Sequence, residues 1–517
     1  MRPLAAAGLV AALLVAGAGA PGRCGESAPP AKPAAEFHWG LPRQVAPLLP
    51  ASPQNNLAPL PIELASAGER LVAVIDQPPN RWGGGGGSAQ VFVRDLQGPW
   101  GELAGLPGGS AASPLVPAGR ELALLTSTMN DRARFGGAGE GSLQLAAIAM
   151  EPGGKVRTAD VYAPKSAASA MMGGPTSRVL GAALAARPPA MLAAFWLQKN
   201  DLAGASTELC LRGSADAGAT WSELPALAKL RDQAAADSSL TLWADRDRFH
   251  LLYCPPPAKP GEPAPPLRHV MGADGSAWKD GAALLAPPSK EGQPKGFYSA
   301  RALQRGQDLY LLALDAAANA GSGKVWLVTS PDAGATWKPP VRVADRRGYG
   351  PLAAYCQLAV GEGLLVYAAG WREDNGKAGG ELLVSRDAGA SWQKLDFAAG
   401  LAGQAASPRA ALSADGSVHV LFGWNDGASL ETALLCRTAT PKPEPGPSEA
   451  DRAAVAQLVR DLAADDWRMR EKSAAGLIRY GPAALSALRA AAKDPDAERS
   501  LAAEQLIRKV KPPWLKE

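Results

Sequence analysis

The chain has 517 residues, of which 47% are hydrophobic and 20% are charged, and its net charge is +4 at pH 7. This length exceeds that of a single ordinary domain, and the apolar content is sufficient for a sizeable core. The small, evenly spread charge excludes the basic footprint of a nucleic-acid-binding protein, and the four scattered histidines predict no metal centre. We also expect no cofactor.

Residues 1–18 have the pattern of a secretory signal peptide. A basic start is followed by an apolar run from Leu4 to Val15 and by small residues at 16–18. The run is shorter than the roughly 20 residues of a membrane span, so we predict export without a span. Pro-Gly-Arg precedes Cys24 and does not match a lipidation signal, so no lipid anchor is expected there. Residues 19–36, rich in Pro and Ala, are predicted to be a linker.

An octapeptide of the form S-x-D-A-G-A-[ST]-W occurs three times downstream. Each copy follows a short apolar run, which predicts a turn that closes a β-hairpin. The Asp carboxylate can accept backbone N–H groups, the Gly can take a positive φ, and the Trp can fill the space between neighbouring sheets. The residues with these structural roles are Ser214, Asp216, Gly218, Trp221, Ser330, Asp332, Gly334, Trp337, Ser385, Asp387, Gly389 and Trp392.

The spacing of the copies predicts a larger set of similar units. Asp216 and Asp332 are 116 residues apart, and Asp332 and Asp387 are 55 apart. Halfway along the first interval lies a shorter copy around Asp274, and two further turns, at Asp95 to Trp100 and at Glu151, continue the period upstream. Six turns at intervals of roughly 55 to 65 residues indicate a repeat architecture built from small sheets.

A seventh set of strand-like segments, between residues 410 and 436, has no octapeptide after it. The segment that begins at His38-Trp39 has the same character as the residues after a complete octapeptide, such as Trp337 and its successors. We therefore predict that a strand from Glu36 to Val45 completes the last sheet and closes the ring. The predicted fold is a mainly β protein, a seven-bladed β-propeller over residues 37–440, with six blades as the alternative.

The octapeptide resembles the Asp-box, or bacterial neuraminidase repeat, of the sialidase-like β-propellers. This resemblance implies that the boxes are structural and lie away from the ligand face, which is built from the starts of first strands and from the loops between second and third strands. Sialidases hold a sugar carboxylate with three arginines and use a tyrosine nucleophile activated by a glutamate. Guanidinium groups match a carboxylate in a bidentate way, and a phenol needs a nearby base to attack.

The corresponding positions of this chain supply the candidate site residues. The candidate catalytic residues are Tyr298, Tyr355 and Asp76. The candidate ligand-binding residues are Arg178, Arg301 and Arg409, together with Trp82, Trp196, Trp371 and Trp424, whose rings could stack on a sugar. The family's F-R-I-P motif has no counterpart, because the stretch from Leu57 to Ile62 contains no arginine.

The absence of that motif leads us to expect an exported propeller that binds a glycan or protein ligand at its central funnel without hydrolysis. Converging arginines would favour an acidic glycan. The alternatives are an exo-acting, sialidase-like glycoside hydrolase, which would need a second carboxylate, and an interaction scaffold. The oligomeric state is open. The nominees for the second carboxylate are Asp131, Glu362, Glu373 and Asp374.

Four cysteines, Cys210, Cys254, Cys356 and Cys436, fall in four different predicted blades. Export permits disulfides between them, but their spacing favours buried single thiols. After a Pro-rich linker at 441–447 the hydrophobic period changes to that of helices. Residues 448–517 are predicted to form four short helices that resemble HEAT-like repeats. Such repeats usually mediate protein contacts, so this tail is the part that the scaffold alternative would use.

Overall fold

The computed structural model is a seven-bladed β-propeller followed by four helices. The seven-blade prediction is confirmed, and the alternative of six is wrong. The signal peptide, the linker, Cys24, Trp82, Asp131, Tyr355, Glu373 and Asp374 lie outside the described residues. The structure describes residues 37–50, 60–67, 69–77, 88–96, 98–106, 109–111, 113–129, 141–151, 154–163, 176–201, 204–231, 240–255, 265–287, 296–316, 323–345, 356–372, 378–425, 431–441, 449–480 and 484–510.

The first four blades are antiparallel sheets that follow one another along the chain. Blade 1 comprises β3 (Leu60–Ala67), β4 (Arg70–Gln77), β5 (Ser88–Asp95) and β6 (Gly101–Gly105). Blade 2 comprises β7 (Gly109–Ala111), β8 (Val116–Ala118), β9 (Glu121–Met129), β10 (Gly141–Ala149) and β11 (Val156–Tyr162). Blade 3 comprises β12 (Thr176–Arg187), β13 (Ala190–Asp201), β14 (Gly204–Ser214) and β15 (Ser222–Arg231). Blade 4 comprises β16 (Leu240–Ala244), β17 (Phe249–Tyr253), β18 (Arg268–Gly272) and β19 (Lys279–Asp280).

The last three blades continue this order, and the seventh includes the N-terminal strands. Blade 5 comprises β20 (Ser299–Arg305), β21 (Asp308–Leu314), β22 (Lys324–Ser330) and β23 (Val341–Asp345). Blade 6 comprises β24 (Cys356–Gly361), β25 (Leu364–Arg372), β26 (Ala378–Ser385) and β27 (Gln393–Leu395). Blade 7 comprises β28 (Gln404–Leu412), β29 (Val418–Asn425) and β30 (Glu431–Thr440), with β1 (His38–Trp39) and β2 (Arg43–Pro50) on its outer edge.

The ring is closed by the N-terminus, as the sequence predicts. His38 pairs with Thr440 and Arg43 pairs with Cys436, so both N-terminal strands run antiparallel to β30. This pairing covers an edge that would otherwise present free backbone groups. Apolar side chains fill each of the seven interfaces between adjacent blades, including the one between blades 7 and 1 where Leu64 and Leu421 meet.

The three octapeptides form the predicted turns between third and fourth strands, and their geometry repeats. In the second copy the Ser330 hydroxyl donates to Asp332 (2.7 Å) and accepts the N–H of Gly334 (2.7 Å). Asp332 also accepts the N–H and the hydroxyl of Thr336, each at 2.7 Å. The alanine before each glycine has a positive φ as well (53° at Ala333).

The octapeptide glycine is required for space as well as for its dihedral angle. Gly218 has a φ of 83°, and a Cβ there would lie 2.3 Å from Leu145 of blade 2. The turn of one blade therefore presses against the preceding blade, which explains why the motif repeats at interfaces. In the first turn, bonds from the Thr220 hydroxyl and N–H and from the Ser214 hydroxyl lower the pKa of Asp216 to about 2.

The four predicted cysteine thiols are free and buried, which confirms the prediction of single thiols. Beyond the propeller strands, the described residues form four α-helices with their own apolar core, which includes Leu477 and Leu488. Asp466 accepts the N–H of Arg468 at the start of the second helix (3.0 Å). The helices are α1 (Glu449–Arg460), α2 (Trp467–Tyr480), α3 (Leu485–Ala491) and α4 (Ala497–Val510). No helix in the described part of the chain has the length and apolar composition needed to cross a membrane.

Candidate functional site at the centre of the propeller

A buried ion pair joins two innermost strands that are not neighbours in the ring. Glu63 on β3 of blade 1 is 3% exposed, and Arg301 on β20 of blade 5 is 9% exposed. The Arg301 Nη2 donates to Glu63 Oε1, and its Nη1 donates to the carbonyl of Cys356 in blade 6 (3.0 Å). One arginine thus connects three blades across the centre.

Gln357 on β24 extends this network to blade 7. Its Nε2 donates to Glu63 Oε2 (3.0 Å) and to the carbonyl of Leu64 (2.6 Å), and its Oε1 accepts the backbone N–H of Ala410 (3.2 Å). Both carboxylate oxygens of Glu63 therefore have a donor, which is the condition under which a buried charge is tolerated. We call Glu63, Arg301, Gln357 and Arg409 the axial network.

Arg409 lies close to the same carboxylate, as expected if the predicted arginines converge. It is 4% exposed, and its Nη1 donates to the carbonyl of Pro408 (3.1 Å). Burial lowers the pKa of the Arg409 guanidinium to about 10, although the charge of Glu63 opposes this shift. The positive charge of the nearby Arg301 lowers the pKa of Arg409 further, because the two guanidinium groups repel each other.

A local irregularity in β28 precedes Arg409. The register shifts between Ala406 and Arg409, and Ser407 has a φ of 53°. Blade 6 makes room for this bulge with glycines, because a Cβ at Gly370 would lie 2.5 Å from Ser407 and one at Gly380 would lie 2.2 Å from Pro408. The small residues of blade 6 therefore allow the close approach of the strand that carries Arg409.

The candidate catalytic residues are only partly within the described region. Tyr298 is half-buried beside β20, and burial, with a smaller effect of Cys254, raises the pKa of its phenol. A raised pKa opposes formation of the phenolate that a nucleophile needs. The side chain of Asp76 and all of Tyr355 lie outside the described residues. Glu362 is exposed in the turn from β24 to β25, at the opposite end of β24 from Cys356.

Two of the four predicted sugar-stacking tryptophans belong to the core. Trp196 is 1% exposed between blades 3 and 4, and Trp424 is 3% exposed between blades 6 and 7, where its indole donates to the carbonyl of Ala402. These rings pack against other blades and present no face to a ligand. Trp371 is half-buried at the end of β25, which leads to a loop between second and third strands. Arg178 is described only by its backbone in β12, which pairs with Gln198.

The sequence reading missed Glu63 and Gln357. An available signal was a lone carboxylate in the otherwise apolar strand P-I-E-L, two residues after Pro61.

A second buried polar chain runs through blade 4. His250 bonds Asp245 through Nε2 (2.9 Å) and His269 through Nδ1 (3.1 Å), and His269 bonds the carbonyl of Ala282 (3.0 Å). Both imidazoles stack beside Trp243, with ring centroids 5.1 and 5.2 Å away. Burial lowers the pKa of His250 and lowers that of His269 to about 4, so both rings are neutral at pH 7.

Among the described residues, no group of three or more His, Cys, Asp or Glu side chains is arranged to hold a metal ion. The fold and the axial network define a class, a seven-bladed propeller with a polar, buried centre. No protein-family model and no curated protein sequence matches the chain.

Several solved structures are similar to this chain at low identity. Phage phi92 endosialidase aligns over 80% of this chain and 70% of its own, with 11% identity and a TM-score of 0.42. Trypanosoma rangeli sialidase aligns over 82% of this chain and 61% of its own (10%, 0.37). Penicillium chrysogenum α-L-arabinanase aligns over 66% of this chain and 98% of its own (11%, 0.41).

Proposed function

We propose that this protein is an exported, sialidase-like propeller that holds a glycan over the centre of its ring without hydrolysing it. The observation that carries the proposal is that Glu63 is buried and fully hydrogen-bonded. Its two carboxylate oxygens accept from Arg301 and Gln357, and its side chain is buried. A carboxylate held in this way is occupied by bonds within the protein and has no access to a scissile bond.

Hydrolysis of a glycoside requires a proton donor and either a nucleophile or an activated water. In the axial network the one carboxylate is committed to structural bonds. The phenol of Tyr298 has a raised pKa. Neither the Glu63 carboxylate nor the Tyr298 phenol is arranged to act as a nucleophile or a base. Their environments therefore favour ligand binding over hydrolysis.

The glycan part of the proposal rests on the octapeptide turns. We interpret them as Asp-boxes because three copies share the hydrogen bonds from serine to aspartate, from aspartate to the following hydroxyl and from serine to glycine. Sialidase-like propellers with such boxes bind sugars on the face from which the first strands begin. In this chain Trp371 stands at that face.

The pairing of Arg301 with Glu63 changes one expectation about the ligand. Converging arginines alone would favour acidic glycans, but here the charge of Arg301 is offset by a carboxylate. We therefore expect the binding of a sialylated glycan to survive removal of its sialic acid.

The test uses the full chain on a glycan array that contains matched sialylated and desialylated pairs, with fluorogenic sialosides and arabinosides as turnover substrates. We expect binding without turnover, and about a tenfold loss of binding in Trp371→Ala. The control is Trp467→Ala, which alters an exposed tryptophan of the helical tail. Turnover above the background of a protein-free control would show an enzyme, and the absence of any glycan binding would reject the proposal.

A further inference from the structure

A groove of about 470 Å³ lies between the outer strand of blade 5 and the third strand of blade 6. One wall is β23 from Arg342 to Asp345, and the opposite wall is formed by Glu381 and Leu383 of β26. The end of the third octapeptide turn, residues 390–392, forms the remaining side. This volume falls within the range of small-molecule sites in proteins.

The fourth strand of blade 6 is short where it borders the groove. β27 has three residues and pairs with β26 only as far as Leu382, so no fourth strand lies beside Glu381. In blade 3 the corresponding strand has ten residues and continues along β14 to Ser206. Glu381 and Leu383 share a face of β26, since side chains alternate along a strand, and Leu383 packs toward blade 5.

The same position is apolar in the other two octapeptide blades. The residue six positions before the motif aspartate is Cys210 in blade 3 and Trp326 in blade 5, and both are buried in interfaces with the preceding blade. In blade 6 it is Glu381, which is half-buried. Blade 6 therefore replaces a packing residue with a carboxylate.

The tryptophan of the third octapeptide also differs from its equivalents. The indole N–H groups of Trp221, Trp278 and Trp337 donate to carbonyl oxygens at 3.1, 2.9 and 3.2 Å. That of Trp392 is buried and has no hydrogen-bond partner among the described atoms, as is also true of Trp100 and Trp196. Because this N–H is itself inaccessible, the feature of Trp392 that bears on a ligand is the position of its ring in the wall of the groove.

We propose that this groove binds a neutral sugar unit, at a site separate from the funnel. The Trp392 ring offers an apolar surface to the C–H face of a pyranose or furanose. Arg342 and Asp345, which pair at 2.6 Å and are both exposed, offer donors and acceptors to hydroxyl groups, and Glu381 accepts from the other wall. An acidic sugar would meet a carboxylate on each wall of the groove, Asp345 on one and Glu381 on the other, which disfavours its binding.

The repeat supplies a matched pair of variants. Ala390 lines the groove, and Ala335 is exposed at the same place in the second octapeptide. Ala390→Phe fills the groove and Ala335→Phe does not. Both variants add an aromatic ring to an octapeptide turn, so any loss of stability from the added ring should be similar in the two. Glu381→Gln removes the charge with little change in shape, and Asp280→Asn serves as its control, because Asp280 forms the exposed ion pair of the outer strand in blade 4.

The measurement is titration calorimetry with methyl glycosides of neutral hexoses, 6-deoxyhexoses and pentoses, and with the methyl glycoside of N-acetylneuraminic acid as the acidic probe. We expect a neutral glycoside to bind the wild-type chain, with about a tenfold loss in Ala390→Phe and Glu381→Gln and no change in the two controls.

Four results would overturn the proposal: no neutral glycoside binds at concentrations on the order of 10 mM, the acidic probe binds at least as tightly, Ala390→Phe and Ala335→Phe behave alike, or Trp371→Ala abolishes binding while Ala390→Phe leaves it intact. The last result would place the sugar in the funnel and support the proposed function alone. Binding that survives Trp371→Ala but not Ala390→Phe supports the groove independently of the funnel.

Discussion

The octapeptide turns and the axial network both consist of carboxylates and their hydrogen-bond donors. They differ in burial and in how far apart along the chain the bonded residues lie. In each turn, Asp332 and its equivalents bond to residues two to four positions away, at the surface. In the axial network, Glu63 bonds to residues 238 and 294 positions away, in the interior. The turns repeat along the chain, whereas the axial network occurs once among the described residues.

This difference predicts different costs when each network is broken. An exposed carboxylate that loses its partners is solvated by water, so the loss is small. A buried charge that loses its partner has no such replacement, and the loss is several times larger. Each turn packs against the preceding blade, while the axial network links blades 1, 5, 6 and 7 to one another.

The largest effect is expected for Glu63→Ala, which leaves the guanidinium of Arg301 in the interior without its carboxylate. We expect the free energy of unfolding to fall by about 3 to 5 kcal/mol, measured by urea denaturation. The double variant Glu63→Leu with Arg301→Met removes both charges and should recover much of this loss. If the single and double variants were equally destabilised, the charge pair would not be the cause.

A change of pH separates buried groups from turns, because they titrate in different windows. Burial lowers the folded-state pKa of His269 and of His419 to about 4, from an ordinary value of 6.5. Below pH 6.5 the unfolded chain binds protons that the folded chain does not, so stability falls as the pH decreases through 6.5 toward 4. The carboxylate of Asp216, with its pKa at about 2 against an ordinary 3.8, loses its contribution only below pH 3.8.

We expect each histidine to contribute a loss of about 2 kcal/mol between about pH 7.5 and pH 4.5, as followed by urea denaturation at several pH values. His419→Asn should make this dependence shallower, and His38→Asn, which alters an exposed histidine at the N-terminal strand, should not. A stability that is flat down to pH 4.5 would mean that these imidazoles are not held neutral by burial.

Local chemistry and periodicity explain what could be predicted from the sequence. The turn around Asp332 contains its own donors and acceptors, so its structure follows from eight residues, and its recurrence gave the blade count. The closing strand at His38 was recognisable because it repeats the pattern after Trp337. Glu63 and Gln357 could not be paired in advance, because their contact depends on the geometry of the whole ring.

The tryptophans are a second example of what the sequence could not predict. Trp371 and Trp424 lie next to the ends of their second strands, whereas Trp196 lies in the middle of β13. The sequence around each tryptophan does not show whether its ring packs between blades or lies near a loop. Strand alternation and the neighbouring blade decide this, and Trp196 and Trp424 proved to be core residues. A carboxylate on an inner strand, such as Glu63, is the better sequence signal for the centre of a propeller.

The smallest effect is expected at the turns themselves. Asp332→Ala removes the acceptor of the Thr336 N–H and hydroxyl, but both donors can form hydrogen bonds with water instead. We therefore expect the free energy of unfolding, measured by urea denaturation, to fall by about 1 kcal/mol. Asp332→Asn keeps one acceptor oxygen and should lose less. Glycan binding by the folded variants should equal that of the wild type, because the turn lies at the opposite end of the blade from the start of the first strands. If Asp332→Ala abolished binding while the unfolding midpoint stayed unchanged, the turn would be part of a ligand site and its structural role would have to be abandoned.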